Sequence, residues 1–177
     1  MALVYRIQKK QFIESVLTGE GARLNGGRWN PPGIALVYTS MTPELALLET
    51  LVHLDGTPVR DLPPFVRVSI ELPDAIEEIR LAELPTGWDA LKYPESLPQF
   101  LLPKLVPTYP ALAFALPSVI VRNTPSRNIL INPLHPLMSQ VKVVEVMAHE
   151  FDERLQKQVE PPVVESAGIK KGQRRSI

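Results

Sequence analysis

A segment rich in glycine and proline, GARLNGGRWNPPG at residues 21–33, holds an arginine in a confined position. Gly26 and Gly27 directly precede Arg28, and a Pro-Pro pair begins three residues after it. Glycine permits a positive φ and close approach of a ligand, whereas proline fixes φ. Because a guanidinium suits bidentate capture of carboxylate or phosphate, the spacing is compatible with Arg28 as an anion-binding group. A tight loop in which Arg28 makes an ordinary surface ion pair fits the same spacing, since short motifs often match by chance.

The second candidate is a carboxylate, Glu49, on the clearest helix of the sequence, which is predicted over residues 41–54. Thr42 can cap this helix, and the proline after it suits the first turn. At about 100° per residue, the leucines fall on one half of the helix and Glu49 falls on the other, together with Ala46 and His53. The pattern alone predicts that this second half faces solvent. A small residue one turn before a carboxylate is also typical of a cleft wall, so both interpretations stay open.

Three segments that carry an arginine, a glutamate and a serine follow one another in a distinctive order. Arg28 lies in GGRWNPPG, Glu49 in LALLETLVHL and Ser118 in LPSVIV. Tyr38 lies between the first two in VYTS, and NILINPLHP follows Ser118 at residues 128–136. Together these segments resemble the RES family, the toxin half of RES–Xre toxin–antitoxin pairs, which is named for a characteristic Arg, Glu and Ser. The resemblance runs from about residue 4 to about residue 147 and implies an ADP-ribosyltransferase-like fold and destruction of NAD.

The resemblance implies a catalytic role for each of these four side chains. Arg28 would clamp the diphosphate of NAD, where a fixed planar cation is worth more than a flexible lysine. Glu49 would stabilise the positive charge that grows on the ribose as nicotinamide leaves. Tyr38 would stack on the nicotinamide or donate its hydroxyl to the ribose, with packing in the core as the alternative. Ser118 would hydrogen-bond the ribose or phosphate and help to hold Glu49, with an ordinary serine at a strand edge as the alternative.

Further candidates for substrate binding are the neighbours of these side chains in the sequence: Gly27, Trp29, Asn30 and His53. Trp29 would line the NAD cleft or else pack in the core. His53 lies one turn from Glu49 and would be able to orient it. Neither a dinucleotide GxGxxG motif nor a phosphate loop occurs, so NAD is expected as a consumed substrate and no bound cofactor is expected.

Other site chemistries have little support in the sequence. A Ser–His–Asp triad would need Ser118, either His135 or His149, and Asp152, but Ser118 lacks the GxSxG elbow of such enzymes. The three histidines of the chain are scattered and form no HExxH-type pair. No metal site is therefore expected.

The composition is that of a globular chain with balanced charge. The length of 177 residues suits one domain with a sizeable core. Lys plus Arg and Asp plus Glu both number 19, which argues against direct binding of nucleic acid. Cysteine is absent, so disulfides and thiolate metal sites are excluded. No apolar run is long enough to span a bilayer and the N-terminal residues lack a signal-peptide layout, so a cytoplasmic protein is expected.

The order of predicted elements indicates a single α+β domain at residues 1–160, followed by a flexible basic tail at 161–177. Besides the helix that carries Glu49, short helices are predicted at 12–17 and 95–105. Strands are predicted at 4–7, 34–39, 65–72, 76–80, 111–115, 119–122, 129–132 and 141–148. Regular βαβ alternation is missing, so a bent or split sheet with flanking short helices is expected, in agreement with an ADP-ribosyltransferase-like core.

Three functions stay open at this stage. The first is a toxin that degrades NAD as a glycohydrolase or phosphorylase and is held inactive by a cognate Xre-type antitoxin. The second is an ADP-ribosyltransferase that modifies a protein target. The third is a non-enzymatic module whose Arg28 loop contacts a partner protein. The sequence also leaves a homodimer open, and it favours neither a membrane nor a nucleic-acid partner.

Overall fold

The computed structural model describes residues 1–54 and 56–155 of the chain. The strands of this part are β1 Ala2–Lys9, β2 Val37–Ser40, β3 Phe65–Leu72, β4 Ile76–Glu78, β5 Ala113–Pro117, β6 Arg127–Ile131 and β7 Lys142–His149. Its α-helices are α1 Glu20–Asn25 and α2 Pro43–Leu51. Short 3-10 helices lie at Lys10–Ser15, Val59–Asp61, Leu81–Glu83, Leu97–Gln99, Leu102–Lys104, Pro136–Gln140 and Glu153–Leu155.

The strands join one sheet in the order β4-β5-β6-β2-β1-β3-β7. Neighbouring strands are antiparallel except for the parallel pair β4 and β5. β1 pairs with β3 along its whole length, but it meets β2 through one residue pair, Tyr5 and Ser40. The sheet is therefore almost divided between β2 and β1, which confirms the predicted α+β fold with a split sheet.

Apolar side chains pack on both faces of β5 and β6. On β6, Ile129 and Ile131 pack into one apolar cluster and Leu130 packs into another, as the alternation of side chains along a strand requires. On β5, Ala113 and Phe114 divide in the same way. A strand buried on both faces has a continuous apolar sequence, which is why these segments show no polar alternation.

Two elements agree closely with the sequence patterns. β3 occupies the predicted residues, because its alternation of apolar and polar side chains is that of a half-buried strand. α2 begins where the cap predicts, since Thr42 Oγ1 accepts a hydrogen bond from the Leu45 N–H at 3.2 Å and Pro43 follows in the first turn. The helix ends at Leu51, earlier than predicted.

The predicted faces of α2 are wrong in one respect. Ala46, expected on the solvent side, is buried at 4% exposure, whereas Leu48 and Val52, expected in the core, are 37% and 56% exposed. The small alanine lets the helix approach the sheet closely, and the Thr50 hydroxyl, which donates to the Ala46 carbonyl at 2.8 Å, lies 3.4 Å from the carbonyl of Ile7 on β1. This rotation places Glu49 at the border between the buried and exposed faces.

Several predicted elements are shorter or absent. The predicted strand at 119–122 is a turn, because the Ser118 hydroxyl binds the N–H groups of Ile120 and Val121. The predicted helices at 12–17 and 95–105 are short 3-10 turns, and prolines interrupt the second of them. α1 has no counterpart among the predictions, since six residues are too few to show a helical period.

Two further sequence predictions concern a membrane-spanning segment and the C-terminal residues. No helix in the described part of the chain is long and apolar enough to cross a membrane. The predicted basic tail at 161–177 lies outside the described residues.

Candidate active site

A cleft of about 900 Å³ opens where β1 and β2 part. Its volume lies near the upper end of the range for small-molecule sites, about 300–1,000 Å³. The two strands contribute one wall, α2 contributes another, and the glycine-rich loop after α1 closes one end. The sequence-predicted residues that line it are Gly27, Arg28, Trp29, Tyr38, Glu49 and His53. Residues from distant parts of the chain thus meet at the near-division of the sheet.

Arg28 is held by one edge of its guanidinium. Its Nη1 donates hydrogen bonds to the carbonyls of Trp88 at 2.6 Å and Ala90 at 3.0 Å. The Arg28 Cζ lies 4.5 Å from the ring centroid of Tyr93, a cation–π contact. Within the described residues, Nη2 and Nε have no hydrogen-bond acceptor. The guanidinium is therefore fixed in direction and keeps a donor edge for a ligand.

Burial lowers the pKa of Arg28, whereas Tyr93, Glu49, Asp89 and Tyr38 act in the opposite direction, in that order. An arginine nevertheless stays protonated at neutral pH, because its unperturbed pKa lies far above neutrality. Partial desolvation of this charge strengthens its attraction for an anion.

The loop around Arg28 is organised by Asn30, which is fully buried. The Asn30 Nδ2 donates to the carbonyls of Ala22 at 2.9 Å, Pro31 at 3.2 Å and Ile34 at 2.8 Å. Its Oδ1 accepts the hydroxyl proton of Tyr38 at 2.7 Å. Asn30 therefore serves the backbone of the loop, and its side-chain atoms are not free to contact a substrate.

Tyr38 ties the same loop to β2. Its hydroxyl accepts a hydrogen bond from the Trp29 N–H at 3.2 Å while donating to Asn30. Burial raises the pKa of Tyr38, so it stays a neutral phenol. A Cβ on Gly27 would lie 2.6 Å from this hydroxyl, so a larger residue there would displace Tyr38 from its position. Gly26, with φ of 70°, lies in the left-handed region and turns the chain into the loop.

Glu49 reaches the cleft from α2 and is anchored through one oxygen. The Oε1 atom accepts hydrogen bonds from Ser118 Oγ at 2.9 Å and from Asn128 Nδ2 at 2.5 Å. No described residue donates a hydrogen bond to Oε2. The carboxylate is thus oriented, and one of its oxygens is left for chemistry in the cleft.

Ser118 is buried at 1% exposure and lies just after β5. Its hydroxyl oxygen accepts the N–H groups of Ile120 at 3.0 Å and Val121 at 3.1 Å and donates to Glu49. A hydroxyl has one proton and two lone pairs, so these contacts use its full capacity. In this arrangement Ser118 acts on Glu49 and has no remaining capacity to bind ribose or phosphate.

The sequence motifs did not single out Asn128, although they include its segment NILINPLHP. It begins a run of apolar residues on β6 and pairs across the sheet with Ser40 of β2. A polar side chain at the head of a buried strand is the signal that would have found it. Ser40, buried at 3% exposure, donates its hydroxyl to Asn128 Oδ1 at 2.9 Å.

Arg6 is a second cation that the sequence patterns did not single out. It lies on β1, lines the cleft and donates from Nη1 to the carbonyl of Val16 at 3.0 Å. Burial lowers its pKa to about 10, so it too is positively charged at neutral pH. Lys9 and Arg122 also line the cleft, which makes the site attractive to an anionic ligand.

His53 and Trp29 occupy different positions around the cleft. His53 is exposed at its edge and makes no hydrogen bond to Glu49. Trp29 is buried at 4% exposure and lies 6.3 Å from Trp88 between ring centroids, so it both lines the cleft and packs in the core.

The alternative site chemistries do not assemble. Ser118 is bonded to Glu49, whereas the His135 ring is engaged by the Tyr109 carbonyl and the Leu137 N–H. Asp152 pairs with its neighbour Arg154. In residues 1–54 and 56–155, no group of three His, Asp or Glu side chains is arranged to hold a metal ion.

The RES domain family matches residues 3–156 of the chain, which include Arg28, Tyr38, Glu49 and Ser118. This match covers most of the sequence. The chain belongs to the RES-domain family. The fold described above is therefore that of a RES domain, as the sequence resemblance predicts.

Curated relatives from several bacteria match over most of their lengths. A protein of Sphingobium sp. strain YBL2, named "Prs ADP-ribosylating toxin", is 37% identical over 145 residues, covering 78% of this chain and 86% of the relative. A "Toxin Res" of Yersinia enterocolitica is 31% identical over 155 residues, covering 86% and 99%. A "Toxin Res" of Pseudomonas putida is 38% identical over 128 residues, covering 72% and 84%. These RES-domain relatives are named as toxins.

A solved structure shares the fold. The matching chain belongs to the Mycobacterium tuberculosis MbcT–MbcA toxin–antitoxin complex and superposes with a TM-score of 0.63. The match covers 87% of this chain and 86% of that chain, at 14% sequence identity. At this identity the likeness establishes the fold of the RES domain and nothing finer.

Proposed function

We propose that this RES domain is the toxin of a toxin–antitoxin pair and that it binds NAD as a substrate and cleaves its nicotinamide–ribose bond. The proposal rests on two side chains in one cleft, each of which keeps part of its hydrogen-bonding capacity unused. Arg28 keeps a donor edge and Glu49 keeps an oxygen without a hydrogen bond among the described residues. A dinucleotide offers one partner for each: an anionic diphosphate and a ribose that becomes cationic.

The diphosphate would bind at the cationic end of the cleft. Arg28 presents Nη2 and Nε, a geometry suited to two phosphate oxygens. Arg6 adds a second charge from β1. Because the Arg28 guanidinium is already fixed by Trp88, Ala90 and Tyr93, little side-chain freedom is lost when the anion binds.

Glu49 would act at the ribose. Cleavage of a glycosidic bond passes through an oxocarbenium-like transition state, in which positive charge develops at C1′ and the ring oxygen. The electron pair of the broken C1′–N bond stays on the nicotinamide nitrogen, which leaves neutral. The carboxylate of Glu49 stabilises the growing charge, and its fixed orientation avoids reorganisation during the reaction. Water then bonds to C1′ and releases a proton to solvent, or phosphate bonds to C1′ through an anionic oxygen.

The remaining predicted residues take supporting roles in the proposal. Tyr38 and Asn30 hold the Arg28 loop through their mutual hydrogen bond, so they act on the substrate through that loop. Trp29 and His53 both line the cleft and are available to contact the nicotinamide or ribose. Ser118 orients Glu49.

Transfer of ADP-ribose to a protein is the second candidate function. It is favoured by the relative named "Prs ADP-ribosylating toxin", which is 37% identical to this chain. The same two side chains would break the same bond, and the acceptor would be a protein side chain. A cognate antitoxin is proposed as the partner in either case, supported by the toxin–antitoxin complex that shares the fold, and an Xre-type protein is the expected form.

One experiment separates these functions. Purified protein is incubated with NAD alone, with phosphate, and with bacterial lysate, and the products are identified by mass. Release of nicotinamide with ADP-ribose supports hydrolysis, and ADP-ribose phosphate supports phosphorolysis. Labelling of a protein only in the lysate arm supports transfer. If NAD stays intact in all three arms, the enzymatic proposal is overturned and a non-enzymatic binding module takes its place.

A further inference from the structure

The two donors to Glu49 converge on the same oxygen. Ser118 Oγ and Asn128 Nδ2 both bond to Oε1, at 2.9 Å and 2.5 Å. Ser118 directly follows β5 and Asn128 lies on β6, which pairs with β5, while Glu49 comes from α2. Among the described residues, none donates to Oε2. The two oxygens of one carboxylate thus have different surroundings.

The direction of each donor is set by a further contact. The Ser118 hydroxyl already accepts two backbone N–H groups, so its one proton is directed to Glu49. The Asn128 Oδ1 accepts the hydroxyl of Ser40 at 2.9 Å, and this bond holds the amide in place while its NH₂ donates to Glu49. An ionised carboxylate can only accept, so the opposite amide orientation would place two acceptors face to face.

We infer that Asn128, held in place by Ser40, is a positioning residue that holds Oε1 of Glu49 and thereby presents Oε2 to the ribose. The catalytic part of this inference rests on the proposed cleavage of NAD, whereas the hydrogen bond does not. Asn128 acts through Glu49 and needs no contact with the reacting atoms.

Holding the carboxylate of Glu49 in one position has a physical purpose in this cleft. A glutamate side chain has several rotatable bonds, and fixing it costs conformational entropy that the two donors offset. The cation Arg28 faces the same cleft and attracts Glu49 electrostatically. A glutamate without its donors would be free to turn toward Arg28 and away from the ribose.

A kinetic split tests the role of the amide. In Asn128→Asp the shape is kept, but the donor is replaced by an acceptor that repels Glu49. We expect kcat for NAD cleavage to fall at least about tenfold while KM changes by less than about threefold, since a group acting only on transition-state charge affects kcat. Asn123→Asp makes the same chemical change in an exposed turn and should match the parent. An unchanged kcat for Asn128→Asp overturns the inference.

A double-mutant cycle tests the chain of contacts. Ser40→Ala should lower kcat several-fold alone but add nothing in the Asn128→Ala background, because Ser40 acts through that amide. Ser139→Ala, at an exposed serine outside the cleft, is the control. Additive losses from the Ser40 and Asn128 changes would show two independent structural effects and would contradict the inference.

A measurement without NAD separates failure of this inference from failure of the proposed function. In the parent, a side-chain amide proton of Asn128 bonded to a carboxylate should resonate downfield of those of exposed Asn123 in nuclear magnetic resonance spectra. Glu49→Ala should move it upfield and leave Asn123 unchanged. No movement overturns the inference even if NAD is cleaved. Movement in a protein that does not cleave NAD supports the contact and overturns the proposed function alone.

Discussion

At the scale of single residues, the guanidinium of Arg28 both anchors a backbone segment and keeps donors for a ligand. Its Nη1 holds the backbone at residues 88–90 through the carbonyls of Trp88 and Ala90, and its remaining donors are left for a ligand in the cleft. Only a planar group with several donors in fixed directions can serve both partners at once. A lysine ammonium is a point charge on a flexible stem and could not hold the two backbone carbonyls and the ligand in fixed directions at once.

The Arg28→Lys variant is therefore expected to lose more than tenfold in kcat/KM for NAD, which corresponds to more than about 1.4 kcal/mol of transition-state stabilisation. The measurement is nicotinamide release by the purified protein. Arg23→Lys is the matched control, because Arg23 is an exposed helix residue paired with Glu20. Parental activity in Arg28→Lys would show that the loop is structural and that the diphosphate binds elsewhere.

Glu49 supplies the negative charge that the proposed reaction needs. Glutamine keeps the shape and can still accept from Ser118 and Asn128 through its oxygen, so Glu49→Gln should melt close to the parental temperature. Loss of a preorganised charge is expected to cost about a hundredfold or more in kcat.

The control for this change is Glu44→Gln, in the exposed first turn of α2, which should retain activity. Nicotinamide release and thermal melting are measured for both variants. A folded, fully active Glu49→Gln protein would point to Asp89 as the next carboxylate to test, since it is the other acidic residue lining the described cleft.

At the scale of elements, the loop after α1 is a backbone structure built around one buried amide. Asn30 satisfies three loop carbonyls and the hydroxyl of Tyr38, and so connects the loop to β2. The glycines before Arg28 allow the turn and the close approach of Tyr38. The shape of this loop, and with it the direction of Arg28, depends on hydrogen bonds that no neighbouring residue can replace.

Asn30→Ala is expected to lower the free energy of unfolding by about 2–4 kcal/mol, because several buried polar groups lose their partner together. Urea denaturation followed by circular dichroism measures this change. Asn25→Ala, which removes one exposed bond to the Gly21 carbonyl, should cost well under about 1 kcal/mol. A similarly small effect at Asn30 would mean that the loop holds its shape without the amide.

At the scale of the whole molecule, the near-division of the sheet creates the site. Because β1 and β2 share one residue pair, the two strands separate and leave a cleft in the middle of an otherwise continuous sheet. α2 packs across this region with Ala46 against the core and turns Glu49 into the opening. The cations and the carboxylate of the cleft are thus separated in sequence and adjacent in space.

Expression of the chain alone in a bacterial host is expected to arrest growth and to deplete cellular NAD. The reason is that the proposed reaction consumes a cofactor that every cell needs. Growth and NAD content are measured after induction, with Glu49→Gln at equal protein level as the inactive control. Normal growth and unchanged NAD, with folded protein present, would count decisively against an NAD-degrading toxin.

Local patterns in the sequence determined part of this protein. The alternation in Phe65–Leu72 predicted β3, and Thr42 with Pro43 predicted the start of α2, because strand faces and helix caps depend on near neighbours. The resemblance of separate motifs to RES domains identified Arg28 and Glu49 as candidates. The mixed order of elements also predicted an α+β fold with a split sheet.

The tertiary structure decided which groups meet and how they are oriented. Asn128 lies 79 residues from Glu49 along the chain, and Ser118 lies 69 residues from it, so no local pattern reveals that both donate to one oxygen. The rotation of α2 was decided by the close approach of Ala46 to the sheet, against the pattern of its leucines. Packing and hydrogen bonding between distant segments determine these features, and their energies depend on the whole fold rather than on the spacing of neighbouring residues.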